Sequence, residues 1–384
     1  MSAIYLDYQS ASPVDPRARE FAERCLTGEF GNPSALHSRG LAAKAALEDA
    51  RSRVAELIGA EGPETIVFAA GATEANNLAI RGLAQRNAAK GRKLLASSIE
   101  HISVLNPIKD LKKGGFDLAL VPVDKSGLID LEALEGMLSK ETVLASVMYA
   151  NSEIGTIQPI KEVSDLVHER GHFLHVDATA ACGKIPVDVQ KDGIDLLTIS
   201  SNEIYGPQGA GAVYVRPGVR IQPVLFGGGQ ERGLRPGTEN LFALVGFGEA
   251  ARLAKQEMAD ERLRLLAIRD GLIEEIQKID EAYLTGHPKE RLPNHASFRF
   301  RRIEGESILL TLDAMFNIQV STGSACSSRT LEPSHVLLAI GLKHEEAHGS
   351  MVMTLGRDSN QDQIPKVAQA VSQTVQRLRA ISAL

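Results

Sequence analysis

Six short apolar runs, at residues 65–68, 93–97, 143–148, 173–177, 196–200 and 211–215, are separated by stretches long enough to hold helices. This alternation limits the fold more than any other feature of the chain. The runs are continuous rather than two-sided: Val143-Leu144-Ala145-Ser146-Val147-Met148 and Leu196-Leu197-Thr198-Ile199-Ser200 offer no consistently polar face. Strands of that kind are buried on both sides, which implies a mainly parallel sheet with helices on each face. Residues 75–87, after the first run, carry the helical pattern such a sheet needs. Open sheets of this type bind ligands beyond the carboxyl ends of their strands.

Downstream of Gly227-Gly228-Gly229 the pattern changes. Residues 241–279 read as one long helix, 296–300 alternate like a half-exposed strand, 350–355 form a further strand candidate, and 367–381 close the chain as an amphipathic helix. The reading is a large domain at 16–244 and a smaller α+β domain at 245–384, against which residues 1–15 pack. A chain of 384 residues is long enough for both.

Net charge is −6 with both signs interspersed, so no basic run points to nucleic acid. No apolar stretch reaches the roughly 18–20 residues of a membrane helix, so no membrane partner is expected. The start, Met1-Ser2-Ala3-Ile4-Tyr5-Leu6-Asp7, lacks the charged-then-apolar order of a signal peptide. Three cysteines make no disulfide framework, and a reducing cytoplasm is the expected location.

Three motifs carry candidate chemistry. Gly71-Ala72-Thr73, between a strand and a helix, has the small residues that let backbone N–H groups approach an anion. The same residues also make an ordinary turn and helix cap. Asp177, ending the run His175-Val176-Asp177, can face a ring nitrogen or simply cap the following turn. Cys326 lies in Ser321-Thr322-Gly323-Ser324-Ala325-Cys326-Ser327-Ser328, a loop of small residues suited to a reactive thiol. Cys25 and Cys182 read as small buried apolar residues, and His335, His344 and His348 as a solvated face or helix ends rather than a metal site.

Taken together these pieces closely resemble the cysteine desulfurases, fold type I enzymes that use pyridoxal phosphate (PLP) to take sulfur from cysteine for iron–sulfur clusters. The resemblance runs nearly end to end. It covers Gly31-Asn32-Pro33-Ser34, Gly71-Ala72-Thr73-Glu74-Ala75-Asn76-Asn77, Glu100-His101, Asn151-Ser152-Glu153-Ile154-Gly155, His175-Val176-Asp177-Ala178-Thr179, Ile204-Tyr205-Gly206-Pro207, Arg235-Pro236-Gly237-Thr238 and the Cys326 loop. It implies a seven-stranded, mainly parallel sheet covered by helices. Ala72, Thr73 and Ser200 would hold the PLP phosphate, with Thr238 reaching in from the partner subunit of a homodimer. His101 would stack on the ring, Asp177 would pair with its nitrogen, and Asn151 would contact the ring oxygen or the substrate carboxylate. Cys326 would carry sulfur as a persulfide to an iron–sulfur scaffold protein, or ligate a cluster with it.

Four positions depart from the family pattern. Glu203 stands where the resemblance calls for the lysine that holds PLP as an imine. Asn202 replaces a phosphate-binding histidine, Ala180 a glutamine on the ring oxygen, and Val352 the arginine that clamps the substrate carboxylate. Arg357 is close enough in sequence to substitute for it, and Lys184 reads as a surface residue. An ionised Glu203 would repel the cofactor's own negative charge by about 3 kcal/mol at ~5 Å and an effective dielectric of ~20. Losing an arginine–carboxylate pair removes a contact worth on the order of 1.5–3 kcal/mol. The sequence therefore reads as an iron–sulfur assembly protein whose ordinary desulfuration is impaired and whose catalytic set is Cys326, His101 and Glu203. Two alternatives remain: an active enzyme holding PLP or its amine form, PMP, without a lysine imine, and a non-enzymatic binding module on the same fold.

Overall fold

Seven strands build the central sheet of the computed structural model, which describes residues 3–323 and 333–381. In chain order the described strands are β1 (Ile4–Tyr5), β2 (Ile66–Ala69), β3 (Lys93–Ser97), β4 (Asp117–Val121), β5 (Thr142–Ser146), β6 (Phe173–Asp177), β7 (Leu196–Ser200), β8 (Gly211–Val215), β9 (Ala282–Leu284), β10 (His295–Phe300), β11 (Ile318–Gln319) and β12 (Ser350–Thr354). The central sheet has the order β2-β8-β7-β6-β5-β3-β4. Its pairs from β4 to β7 are parallel, and β8 alone runs against its neighbours β7 and β2. The apolar runs mark six of these strands. The seventh, β4, is an edge strand with Leu120 44% exposed, so it lacks the continuous buried run that betrays the others.

Neighbouring residues of β2 serve opposite faces, as the two-residue strand period requires. Phe68 packs with Leu95, Val147, Val176 and Phe247 on one side, while Val67 packs with Leu78, Leu83 and Val104 on the other. A separate core joins Leu6, Phe298, Phe300, Leu312, Met353 and Val371 around the sheet β12-β10-β9. The helix Leu241–Ile276 connects the two cores: Phe247 and Ala254 belong to the first, Leu265 and Leu272 to the second. The N-terminal segment follows β12. β1 pairs in parallel with β11, and the backbone N–H of Gln9 donates to Thr354 Oγ1 at 2.9 Å. That course delivers Asp7 and Gln9 to the carboxyl ends of the central strands.

The edge at β2 is closed by an ion pair rather than by another strand. Arg51 meets Glu231 through two contacts of 2.7 Å, with side chains 5% and 2% exposed. The same Glu231 carboxylate accepts the backbone N–H of Phe68 at 2.8 Å, and the Ile66 carbonyl accepts from Arg51 at 3.1 Å and Arg232 at 2.8 Å. The edge backbone is thus satisfied by charged side chains, and the Arg51 guanidinium also lies 4.5 Å over the Phe68 ring. Glu231→Ala is expected to lower folding stability by about 2–4 kcal/mol, because it leaves a buried guanidinium with only the half-exposed Glu48 carboxylate as its ionic partner. Chemical denaturation measures this, and a loss under about 1 kcal/mol, typical of an exposed pair, would contradict the assignment.

Candidate active site

β2, β7 and β6 end at the same edge of the sheet, with β8 between β2 and β7, and their carboxyl ends open on a cavity of about 970 Å³. β2 runs through Ala70 and Gly71 into the helix Ala72–Arg86, and Gly71, Ala72 and Thr73 line the cavity at the positive end of that helix. The turn sits tightly on the sheet: a Cβ at Gly211 would lie 2.7 Å from the Gly71 carbonyl carbon. Glycine at 211 is what allows β8 to pass beneath it.

At the end of β6, Asp177 is 6% exposed and each of its oxygens has a donor. Thr179 N–H gives a hydrogen bond of 3.0 Å to Oδ1, and Asn76 Nδ2 one of 2.8 Å to Oδ2. Capping the turn and facing the cavity are therefore compatible roles. Asn76 also donates to Ser103 Oγ at 2.9 Å, and Ser103 Oγ lies 2.7 Å from His101 Nδ1. His101 is the N-cap of the helix Ile102–Leu111 and accepts the Ser103 N–H at 3.1 Å. A continuous hydrogen-bonded chain thus fixes Asp177 and His101 with respect to each other. Asn76, the middle of that chain, carries no obvious sequence signal beyond being a polar residue on an otherwise apolar helix face.

β7 leads through Ser200 into the short turn Asn202–Ile204, which presents Glu203. Ser200 Oγ donates to Asn202 Oδ1 at 2.5 Å. Glu203 is 8% exposed, and its Oε2 accepts from Gln9 Nε2 at 2.9 Å. Burial pushes the Glu203 carboxyl well up; Lys184 pulls it back, and Asp177 and Asp7 push it further. Lys184 is not a surface residue as its sequence context suggests. It is 6% exposed, with Nζ 4.2 Å from the centre of the Tyr205 ring. The ring and the nearby Glu203 and Glu261 charges make that burial tolerable, although burial still lowers its affinity for a proton.

The other predicted residues separate into two groups. Ala180 and Val352 line the cavity together with Ala72, Thr73, His101, Asp177, Ser200, Asn202 and Glu203. Asn151 does not: its Oδ1 accepts the N–H groups of Glu153 and Ile154 at 2.8 and 3.0 Å, and its Nδ2 donates to the Ile99 carbonyl at 3.0 Å. Arg357 is turned away, paired with Asp15 and Glu257 and stacked 4.5 Å over Tyr205. Thr238 is on the exposed surface. Cys326 lies outside the described residues, and among the described residues no three His, Cys, Asp or Glu side chains converge as a metal site. No helix among the described residues is long and apolar enough to cross a membrane.

Charge is the cavity's most unusual property. Asp7, Glu74, Glu153, Asp177 and Glu203 line it, and among the described residues no lysine or arginine does. Glu100, fully buried behind Asp177, receives the Met148 N–H at 2.6 Å and has one oxygen without a partner. Burial pushes it well up, with Asp177 adding to the effect. A ring nitrogen is provided for by Asp177. An aldehyde held as a lysine imine is not, because the cavity lacks the amine, and Ser200 is already bonded to Asn202. The residues present therefore do not fit lysine-linked PLP.

Fold and cavity define the class: fold type I PLP enzymes. The aminotransferase class-V family matches residues 4–367, and the chain belongs to that family. Within it the chain groups with the cysteine desulfurases. It is 54% identical over 380 residues to "Cysteine desulfurase IscS 1" of Archaeoglobus fulgidus, covering 99% of each chain. It is 45% identical over 382 residues to "Cysteine desulfurase IscS" of Methanosarcina thermophila, covering 100% of this chain and 94% of that one. A solved NifS-like protein superposes with a TM-score of 0.92 at 32% identity, over 98% of this chain and all of the other.

Glu153 offers a test of the cavity's electrostatics. Burial raises its carboxyl to about 7, partly offset by the 2.5 Å hydrogen bond from Ser334 Oγ. The folded chain thus holds a proton that the unfolded chain, at the ordinary 4.5, has released. The associated stability is fully present below about pH 4.5 and lost as pH rises through 7. Glu153→Gln is expected to flatten the loss of stability between about pH 5 and pH 8 by roughly 1–2 kcal/mol, less than the full shift because the side chain is only partly buried. Parallel profiles for the two proteins in pH-dependent denaturation would contradict it.

Proposed function

We propose that this chain serves iron–sulfur cluster assembly as a member of the desulfurase family that has lost ordinary PLP-dependent desulfuration and kept its sulfur-handling cysteine. Cys326 receives sulfur, or ligates a cluster as cargo, and passes it to a scaffold protein docked on a homodimer in the cytoplasm. The observation that carries this reading is the lining of the cavity: Glu203 at the end of β7, with neither lysine nor arginine among the described lining residues. Val352 offers no charge to a substrate carboxylate, and Arg357 is committed to Asp15 and Glu257. General acid–base work at the substrate α-carbon, worth roughly 10²–10⁴-fold, has no amine to perform it.

Sulfur handling by Cys326 needs none of that machinery. Its thiolate attacks the outer sulfur of a persulfide donor, a new S–S bond forms, and the donor leaves as a thiolate. The scaffold's thiolate then takes the same sulfur by the same exchange. Purified protein given cysteine and PLP is expected to form alanine at least about 10²-fold more slowly than a lysine-bearing relative. The same protein given a low-molecular-weight persulfide is expected to gain one sulfur atom on Cys326 by mass spectrometry, and Cys326→Ser to gain none there. Alanine and sulfide release at the relative's rate would refute the reading.

A further inference from the structure

Two ends of the cavity differ in sign. One end carries the first N–H groups of the 15-residue helix Ala72–Arg86 with the Thr73 hydroxyl; the other carries Glu203. Glu203 is 8% exposed, and of its two oxygens only Oε2 has a hydrogen-bond partner, the Gln9 amide at 2.9 Å. Among the described residues Oε1 has no protein donor, and it is open to one that enters the cavity. No lysine or arginine among the described residues lines the cavity to supply one. Arg235 is bound to Glu74 at 2.8 Å, Arg357 faces Asp15 and Glu257, and the Lys184 ammonium rests on the Tyr205 ring without lining the cavity. Among the described lining residues the fixed charges are all negative, which suits a ligand that brings its own positive charge.

We propose that the cavity binds a phosphorylated primary amine, with Glu203 as counter-ion to its ammonium group, and discriminates against the matching aldehyde. An ammonium places its N–H donors against Glu203 and offsets the burial that favours the protonated carboxyl, so that the carboxyl releases its proton on binding; it also gains from Asp7 and Asp177 nearby. An aldehyde brings only lone pairs to the same carboxylate and finds no lysine on the cavity wall. A neutral alcohol at that atom can donate one hydrogen bond but carries no charge. The order of affinity is therefore ammonium, alcohol, aldehyde. The inference concerns the cavity alone and stands whether or not Cys326 handles sulfur.

Pyridoxamine, pyridoxine and pyridoxal 5′-phosphates differ only at this group and are the probes. Calorimetric titration of the full-length protein, with no sulfur donor present, is expected to rank them in that order. Removing one charge-assisted hydrogen bond in Glu203→Gln is expected to weaken the amine roughly 10–100-fold and leave the alcohol within about threefold. Should Glu203→Gln fail to fold, the wild-type ranking decides alone. Equal binding of amine and alcohol, tightest binding by the aldehyde, no binding of any probe, or borohydride-trapped pyridoxal phosphate on Lys184 in peptide mapping would each overturn the proposal.

Discussion

A carboxylate taken out of water must find a proton, a cation or hydrogen-bond donors, and Glu203 at the end of β7 is where this protein faces that demand. Gln9 answers part of it, arriving on a segment that follows β12. Lys184 answers another part from behind the cavity wall, itself held by the Tyr205 ring. Around them the side chains at the strand ends are tied together. Asp177, Asn76, Ser103 and His101 form one connected chain, which would have no reason to be so ordered if the cavity were merely filler. Among the described residues, the lysines and arginines stay off the cavity wall and five carboxyl groups line it.

That lining is distinct from what holds the fold together. The scaffold depends on the central sheet, on the helix Leu241–Ile276 shared by both cores, and on the Arg51–Glu231 closure of the β2 edge. None of these requires a lysine at position 203. The chemistry of an imine does require an amine, and among the described residues no lysine lines the cavity. The turn Asn202–Ile204 that presents Glu203 is thus separate from the packing that supports the fold.

Much of this was legible before any coordinates. The strands buried on both faces announced themselves as unbroken apolar runs, whereas β4, half exposed at the edge, did not. Thr73 and Asp177 stand out because each lies at or just past a strand end, the place where an open sheet binds ligands, whereas His101 and Ser200 stand out only through the family resemblance. Asn151 shows the limit of that reasoning: it lies in a motif, yet its amide is consumed in shaping the turn that carries Glu153. Lys184 shows another limit. Charge in a sequence suggests water, and only the three-dimensional arrival of Tyr205 makes burial affordable. Glu153 and Asn76 were in plain sight without a role, because their importance comes from partners distant in sequence, Ser334 and Asp177.

The central claim is that one side chain, Glu203, sets the charge of an otherwise intact cofactor cavity. The visible spectrum of Glu203→Lys with pyridoxal phosphate tests it most directly. The account predicts an imine band in the variant, removed by borohydride and mapped to position 203, and no such band in the parent protein. A lysine imine in the parent protein, or a folded variant that forms none, would contradict it.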